Sequence, residues 1–162
     1  MSKATYWTNE DGLTIGYGRR TSEYGTAAKV SKGGEHEELV LEFLGAELAD
    51  AAAPANFKQG AMLPAGSYIV SALLLVDTSF ASDGGTATLD IGTFDVDGAA
   101  IDIDGLVAAA AEATLVAGAD IAGAGAQVGT TLTENAYLAA TFNEEAFTDG
   151  KARLIVRYIL PS

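Results

Sequence analysis

Apolar positions along the chain recur mostly with a period of two. Leu39, Leu41 and Phe43 alternate with Val40, Glu42 and Leu44, as in a strand buried mainly on one face. Ser67 to Asp77 (SYIVSALLLVD) is apolar on both faces, which predicts a long central strand. Thr86 to Thr93 alternates again, with Leu89 and Ile91 on one face and Thr88 and Asp90 on the other. Two late strands are expected over Ala136 to Phe142 and Lys151 to Ile159. In the second, Leu154, Val156 and Tyr158 alternate with Ile155, Arg157 and Ile159.

Turn chemistry separates these runs. Pro64-Ala65-Gly66 predicts a turn, Asp83-Gly84-Gly85 a hairpin, and Asp149-Gly150 a turn joining the last two strands. Ala46 to Ala55 reads as a loop or short helical turn ending at Pro54. Asp97-Gly98 and Asp104-Gly105 predict turns on either side of a short extended piece, Ala99 to Ile103. The Ala-rich run Leu106 to Ala117 predicts a short helix, N-capped by Asp104 and closed by Gly118. Gly123-Ala124-Gly125 opens a loop. The sum is seven or eight strands and one short helix: a mainly-β chain, arranged as a β-sandwich or jelly roll.

Residues 1–37 break the pattern. They show no sustained period, and hold the single Trp (Trp7), the single His (His36), Tyr6, Tyr17 and Tyr24, and glycines at 12, 16, 18, 25, 33 and 34. Five of the nine basic residues also fall here: Lys3, Arg19, Arg20, Lys29 and Lys32. This predicts an extended N-terminal arm, with turns at Asp11-Gly12 and Gly33-Gly34, preceding a β-sandwich body over 38–162. An aromatic, basic arm on an acidic body suits contact with another molecule.

Composition then removes several functions. A chain of 162 residues is one domain with an arm. It has no Cys, so disulfides, thiolate metal sites and a Cys nucleophile are excluded. With 22 acidic and 9 basic residues the net charge is −13, and the phosphates of nucleic acid should be repelled. Hydrophobic residues make up 49% and mean hydropathy is +0.21, which distinguishes the chain from a disordered acidic tail. Met1 to Tyr17 has no apolar core of the signal-peptide kind. The apolar run Leu106 to Ala111 is far shorter than the roughly 20 residues that span a bilayer. No membrane or nucleic-acid partner is therefore expected, and synthesis in a cytoplasm fits.

Candidate chemistry is thin. Asp95-Val96-Asp97-Gly98 and Asp102-Ile103-Asp104-Gly105 place four carboxylates close together, a hard-oxygen set that could attract Ca²⁺. Neither copy has the third ligand before its Gly or the Glu at position twelve of an EF-hand loop, and Asp-Gly is ordinary turn chemistry. His36 stands between Glu35, Glu37 and Glu38 in a Gly-rich loop. It would need a nearby Ser or Thr nucleophile, and no Gly-X-Ser-X-Gly elbow exists. Gly123-Ala-Gly-Ala-Gln-Val-Gly129 lacks the Lys-Ser/Thr of a phosphate loop. Arg19-Arg20 with Tyr17 and Tyr24 is too small a patch to hold nucleic acid against the acidic body. No catalytic residue, cofactor or metal ligand is assigned.

The order of YWTNEDGLTIGYGRR, SYIVSALLLVDTSFAS, TLDIGTFDVDG, IDIDGLV, GAQVGT and YLAATFNEEAFTDGKARLIVRYI resembles small structural proteins of tailed bacteriophages. The resemblance runs from about Tyr6 to Ile159 and is weakest over Ala46 to Lys58. It implies a capsid decoration (cement) protein, made in the host cytoplasm and carried on the head surface of the virion. Its implied partners are the major capsid protein and further copies of itself, as a homotrimer. The arm residues Tyr6, Trp7, Leu13, Ile15, Tyr17, Arg19 and Arg20 are then the expected capsid contacts. The alternatives are a head–tail connector, tail or fibre subunit, or a β-sandwich that binds glycan or Ca²⁺.

Overall fold

The computed structural model describes residues 5–8, 14–17, 31–33, 36–50 and 62–160, with side chains in the last two ranges. Among the described residues the strands are β1 (Thr5–Thr8), β2 (Thr14–Tyr17), β3 (Ser31–Gly33), β4 (His36–Leu44), β5 (Ala49–Asp50), β6 (Met62–Leu63), β7 (Tyr68–Ser82), β8 (Thr88–Phe94), β9 (Ala100–Ala111), β10 (Asp120–Ala122), β11 (Ala136–Asn143) and β12 (Phe147–Ile159). Two short 3₁₀ turns, Gly45–Glu47 and Glu112–Thr114, interrupt them.

The body is a β-sandwich. One sheet has the order β10-β7-β12-β4-β3; the other runs β5-β11-β8-β9, with β6 also paired to β11. Pairing is antiparallel except between β5 and β11. The inward residues of β4 (Leu39, Leu41, Phe43), β7 (Ile69, Leu74, Val76) and β12 (Leu154, Val156, Tyr158) share one buried core with Leu89, Ile91, Leu106, Val107 and Leu138 of the facing sheet. Each such side chain withdrawn from water contributes about 1.5–3 kcal/mol, which makes this shared layer the main source of stability. An aromatic cluster closes one end. The rings of Phe80 and Phe147 meet edge-on at 5.0 Å, and Phe43 lies 6.2 Å from Phe80.

The strand expectations over 38–44, 67–77, 86–93, 136–142 and 151–159 match β4, β7, β8, β11 and β12. Connectivity differs at two turns. Asp83-Gly84-Gly85 carries the chain from β7 in one sheet to β8 in the other, so it is a crossover and not a hairpin. Asp149-Gly150 lies inside β12, at an irregularity in its pairing with β7. Gly150 has φ +127°, and a Cβ there would meet the Phe80 ring at 2.5 Å, so the residue lets the aromatic cluster close.

The expected helix over 106–117 is absent. Residues 106–111 continue β9, and only Glu112–Thr114 forms a 3₁₀ turn. Alanine propensity is overridden by burial: Leu106 and Val107 are 0 and 3% exposed in the core, which an edge strand alongside β8 achieves, and the 3₁₀ turn then buries Leu115. The expected turn at Asp104-Gly105 is likewise replaced by strand. β9 spends twelve residues against the seven of β8, and its pairing slips in three places. Such bulges twist an edge strand and blunt it against pairing with another chain.

Candidate functional site

The residues assigned to the arm divide between described and undescribed positions. Tyr6, Trp7, Ile15 and Tyr17 lie on β1 and β2, which pair with each other as a two-stranded sheet of their own. The intervening residues 9–13 contain Asp11-Gly12, where a turn was expected; Leu13, Arg19 and Arg20 fall outside the described residues, as does Ala51 to Lys58 of the least matched stretch. In the ladder Trp7 stands opposite Ile15 and Thr5 opposite Tyr17, so those four positions share one face of the hairpin. Tyr6 is opposite Gly16 on the other face. β3 pairs not with this hairpin but with β4, and β4 begins at His36. His36 is exposed and sits opposite Gly33 at the start of a strand, rather than in a loop.

A second surface was not singled out in the sequence. The outer face of the β10-β7-β12-β4-β3 sheet carries an apolar row that runs straight across four strands: Val40 opposite Ile155, Ile155 opposite Leu73, and Leu73 opposite Ala122. Leu44, Tyr68 and Val70 on β4 and β7 add exposed apolar area; with Leu73 they are 36–42% exposed. Arginines flank the row. Arg153 makes two hydrogen bonds to the Asp77 carboxylate, at 2.9 and 3.1 Å, and Arg157 donates to Glu38 at 2.8 Å. The hydrogen bond to Asp77 and its charge hold the Arg153 guanidinium pKa above its usual value. The signal was present in the sequence, where Arg153, Ile155 and Arg157 alternate with core residues.

The acidic motifs are used structurally. Asp95 accepts the backbone N–H groups of Asp97 and Ala99 through Oδ1, at 2.9 and 2.8 Å, and Gly98 takes φ +85°. This is the turn of the β8–β9 hairpin. Asp102 and Asp104 lie on β9 with their carboxyl groups in contact. Burial, then the hydrogen bond to Asp104 and its charge, raises the pKa of Asp102. Among the described residues no three His, Asp or Glu side chains gather in a geometry that could hold a metal ion. Elsewhere the Ser82 hydroxyl reaches Glu112 at 2.5 Å and Glu145 at 3.0 Å, while Glu145 also accepts Gly84 N–H at 2.6 Å. That cluster pins the crossover loop between the sheets.

The glycine loop after β10 also has a packing role. Gln127 is 8% exposed and donates through Nε2 to Thr93 Oγ1 at 2.7 Å; its backbone N–H donates to the Gly105 carbonyl at 2.9 Å. The Gln127 side-chain amide is thus spent on β8 and its backbone N–H on β9, while the N–H groups of Gly123 and Gly129 donate to Ala72 and Ile69 on β7 and that of Gly125 to Leu106 on β9. A cavity of about 40 Å³ between Leu41, Leu44, Leu48 and Leu138 holds a water molecule and not a substrate. What the described surface offers is area for contact, in the sheet face and the hairpin.

No protein-family model and no curated protein matches the chain. Solved structures do. The chain is similar over 95% of its length to 98% of a chain in the cyanophage Pam1 capsid asymmetric unit, with a TM-score of 0.53 and 20% identity. It is also similar, over 85% of its length, to 93% of a chain in the acid-stable capsid of Helicobacter pylori bacteriophage KHP30, with a TM-score of 0.50 and 19% identity. At such identities the likeness is one of fold: the chain shares the β-sandwich of chains found in two phage capsids.

Proposed function

We propose that this protein is a structural component of a phage virion, a decoration (cement) protein that binds the lattice of the major capsid protein on the head surface and stabilises the head. The observation that carries the reading is the extent of the fold match. It covers nearly the whole of this chain and nearly the whole of the capsid chain in Pam1. A domain embedded in a much larger shell subunit would leave most of that subunit uncovered. A small sandwich whose length matches that of the capsid chain suits a protein added to a shell.

The described surface supports a role in contact rather than catalysis. It has apolar area and arginines on a sheet face. Within the N-terminal arm over residues 1–37, the first twenty residues are the proposed anchor to the shell, with Tyr6, Trp7, Leu13, Ile15, Tyr17, Arg19 and Arg20 making the contacts, while Ser31–Gly33 pairs with β4 of the body. A hairpin with aromatic and β-branched positions on one face is suited to lie against a neighbouring subunit or extend its sheet. Many copies on one lattice gain by multivalency, so each contact can be weak. The body self-associates as a homotrimer, which repeats one contact patch around a closed axis.

Removing residues 2–20 tests the anchor. The truncated protein should keep the far-ultraviolet spectrum and cooperative unfolding of the body but lose co-sedimentation with heads. Full decoration of heads by the truncated protein would contradict the assignment.

A further inference from the structure

We propose that the outer face of the β10-β7-β12-β4-β3 sheet is the surface through which copies of this chain pack on one another. The inference rests on the self-association in the reading above and assigns it a place.

Charge distribution selects a second copy as the occupant. Among the described residues from His36 onward there are eighteen Asp and Glu but only three Lys and Arg: Lys151, Arg153 and Arg157. All three project from the outer side of β12, alternating with the buried Ala152, Leu154 and Val156. Positive charge in the described body is therefore confined to this face. Over the rest of the described body an approaching copy meets like charge, which is repelled; here Lys151, Arg153 and Arg157 stand among Glu38, Glu42, Asp77 and Asp120, so both signs are interspersed. Arg153 and Arg157 are already paired to Asp77 and Glu38, so the face is near balance and not strongly cationic. That balance suits an acidic protein more than a polyanion such as nucleic acid.

Area and apolarity agree. Three strands paired over roughly 25 Å and two three-residue strands of about 10 Å, spaced about 4.8 Å apart, give a flat projection on the order of 450 Å². That is the greater part of the about 800 Å² per partner of a standard interface. Its centre is the row Val40–Ile155–Leu73–Ala122, and its arginines lie on either side, the arrangement of an apolar middle with a polar rim.

The test is the mass of the full-length protein in solution, without heads, by sedimentation equilibrium. Leu73→Asp places a charge in the middle of the row, and Arg157→Glu reverses a rim charge at a side chain 61% exposed. Wild type should sediment as an oligomer. A correctly folded L73D or R157E should fall to the mass of one chain, or associate at least tenfold more weakly. Circular dichroism identifies any variant that fails to fold, and R157E then decides. A wild type of single-chain mass at tens of micromolar would overturn the proposal, as would folded L73D and R157E that both keep wild-type mass. Because heads are absent, such a result leaves the binding of heads to be judged on its own measurement.

Discussion

The buried hydroxyl of Tyr158 donates a hydrogen bond of 2.9 Å to Oε2 of Glu37, linking β12 to β4 across adjacent strands at the core. Glu37 is only 9% exposed, so the hydroxyl partly replaces the water its carboxylate has lost. Tyr158→Phe should lower the unfolding free energy by about 1–2 kcal/mol in urea titration, since it leaves a buried acceptor with one donor fewer.

The same pair sets an alkaline limit. Burial, then the Glu37 hydrogen bond and charge, pushes the Tyr158 pKa up to about 12, against 10.0 for the free side chain. The folded state thus holds this proton more tightly than the unfolded state. Its contribution is complete below pH 10 and is lost as pH rises from 10 to about 12. The stability difference between wild type and Y158F should therefore shrink across that window. A difference that stays constant from pH 9 to 12 would contradict the linkage.

Asp90 holds the bulged edge strand in place. Its carboxylate is 4% exposed, accepts Ala109 N–H at 2.5 Å and accepts Asn143 Nδ2–H on the neighbouring β11. Ala109 has φ +45°, a left-handed conformation that this bond stabilises. Asp90→Ala should cost about 2–3 kcal/mol, and Asp90→Asn less, because one acceptor oxygen survives. Amide exchange along β9 should rise first.

Gly92 is fixed by close approach. A Cβ there would lie 2.0 Å from the Asp102 carbonyl oxygen and 2.4 Å from the Ile103 carbonyl carbon. Both are backbone atoms, so β9 would have to move. Gly92→Ala should destabilise by about 1–3 kcal/mol, as overpacking does, and shows as a lower melting temperature.

Asp102 works in the opposite sense. Its pKa is raised by burial and by Asp104, so its ionised form weakens the fold. Stability from this group is full below the unfolded value of 3.8 and is lost as pH rises through the raised folded value. Asp102→Asn should equal or exceed wild type in stability at pH 7, with the gain vanishing near pH 3. A loss at pH 7 would contradict the account.

Much of the body was legible because period-two alternation reports a sandwich directly. Leu39, Leu41 and Phe43 point inward as their spacing required, and so do Leu154, Val156 and Tyr158. The Ala-rich run at 106–111 was not legible: local propensity favours helix, and only the facing sheet decides otherwise. Turn signals located turns at Pro64-Ala65-Gly66 and Asp97-Gly98, but Asp104-Gly105 and Asp149-Gly150 lie inside strands, and Asp83-Gly84-Gly85 could not show that it leads to the other sheet. The sheet face was hidden for a related reason. Val40, Leu73 and Ala122 are far apart in sequence and become one row only through strand register.

The central claim is attachment to the head, and it is tested by mixing purified protein with expanded phage heads and counting bound copies by sedimentation and gel densitometry. The account predicts saturation at hundreds of copies per head, with heads more resistant to heat. Saturation at about a dozen copies, or no binding, would contradict it and favour a connector, tail or fibre subunit, or a free glycan-binding sandwich.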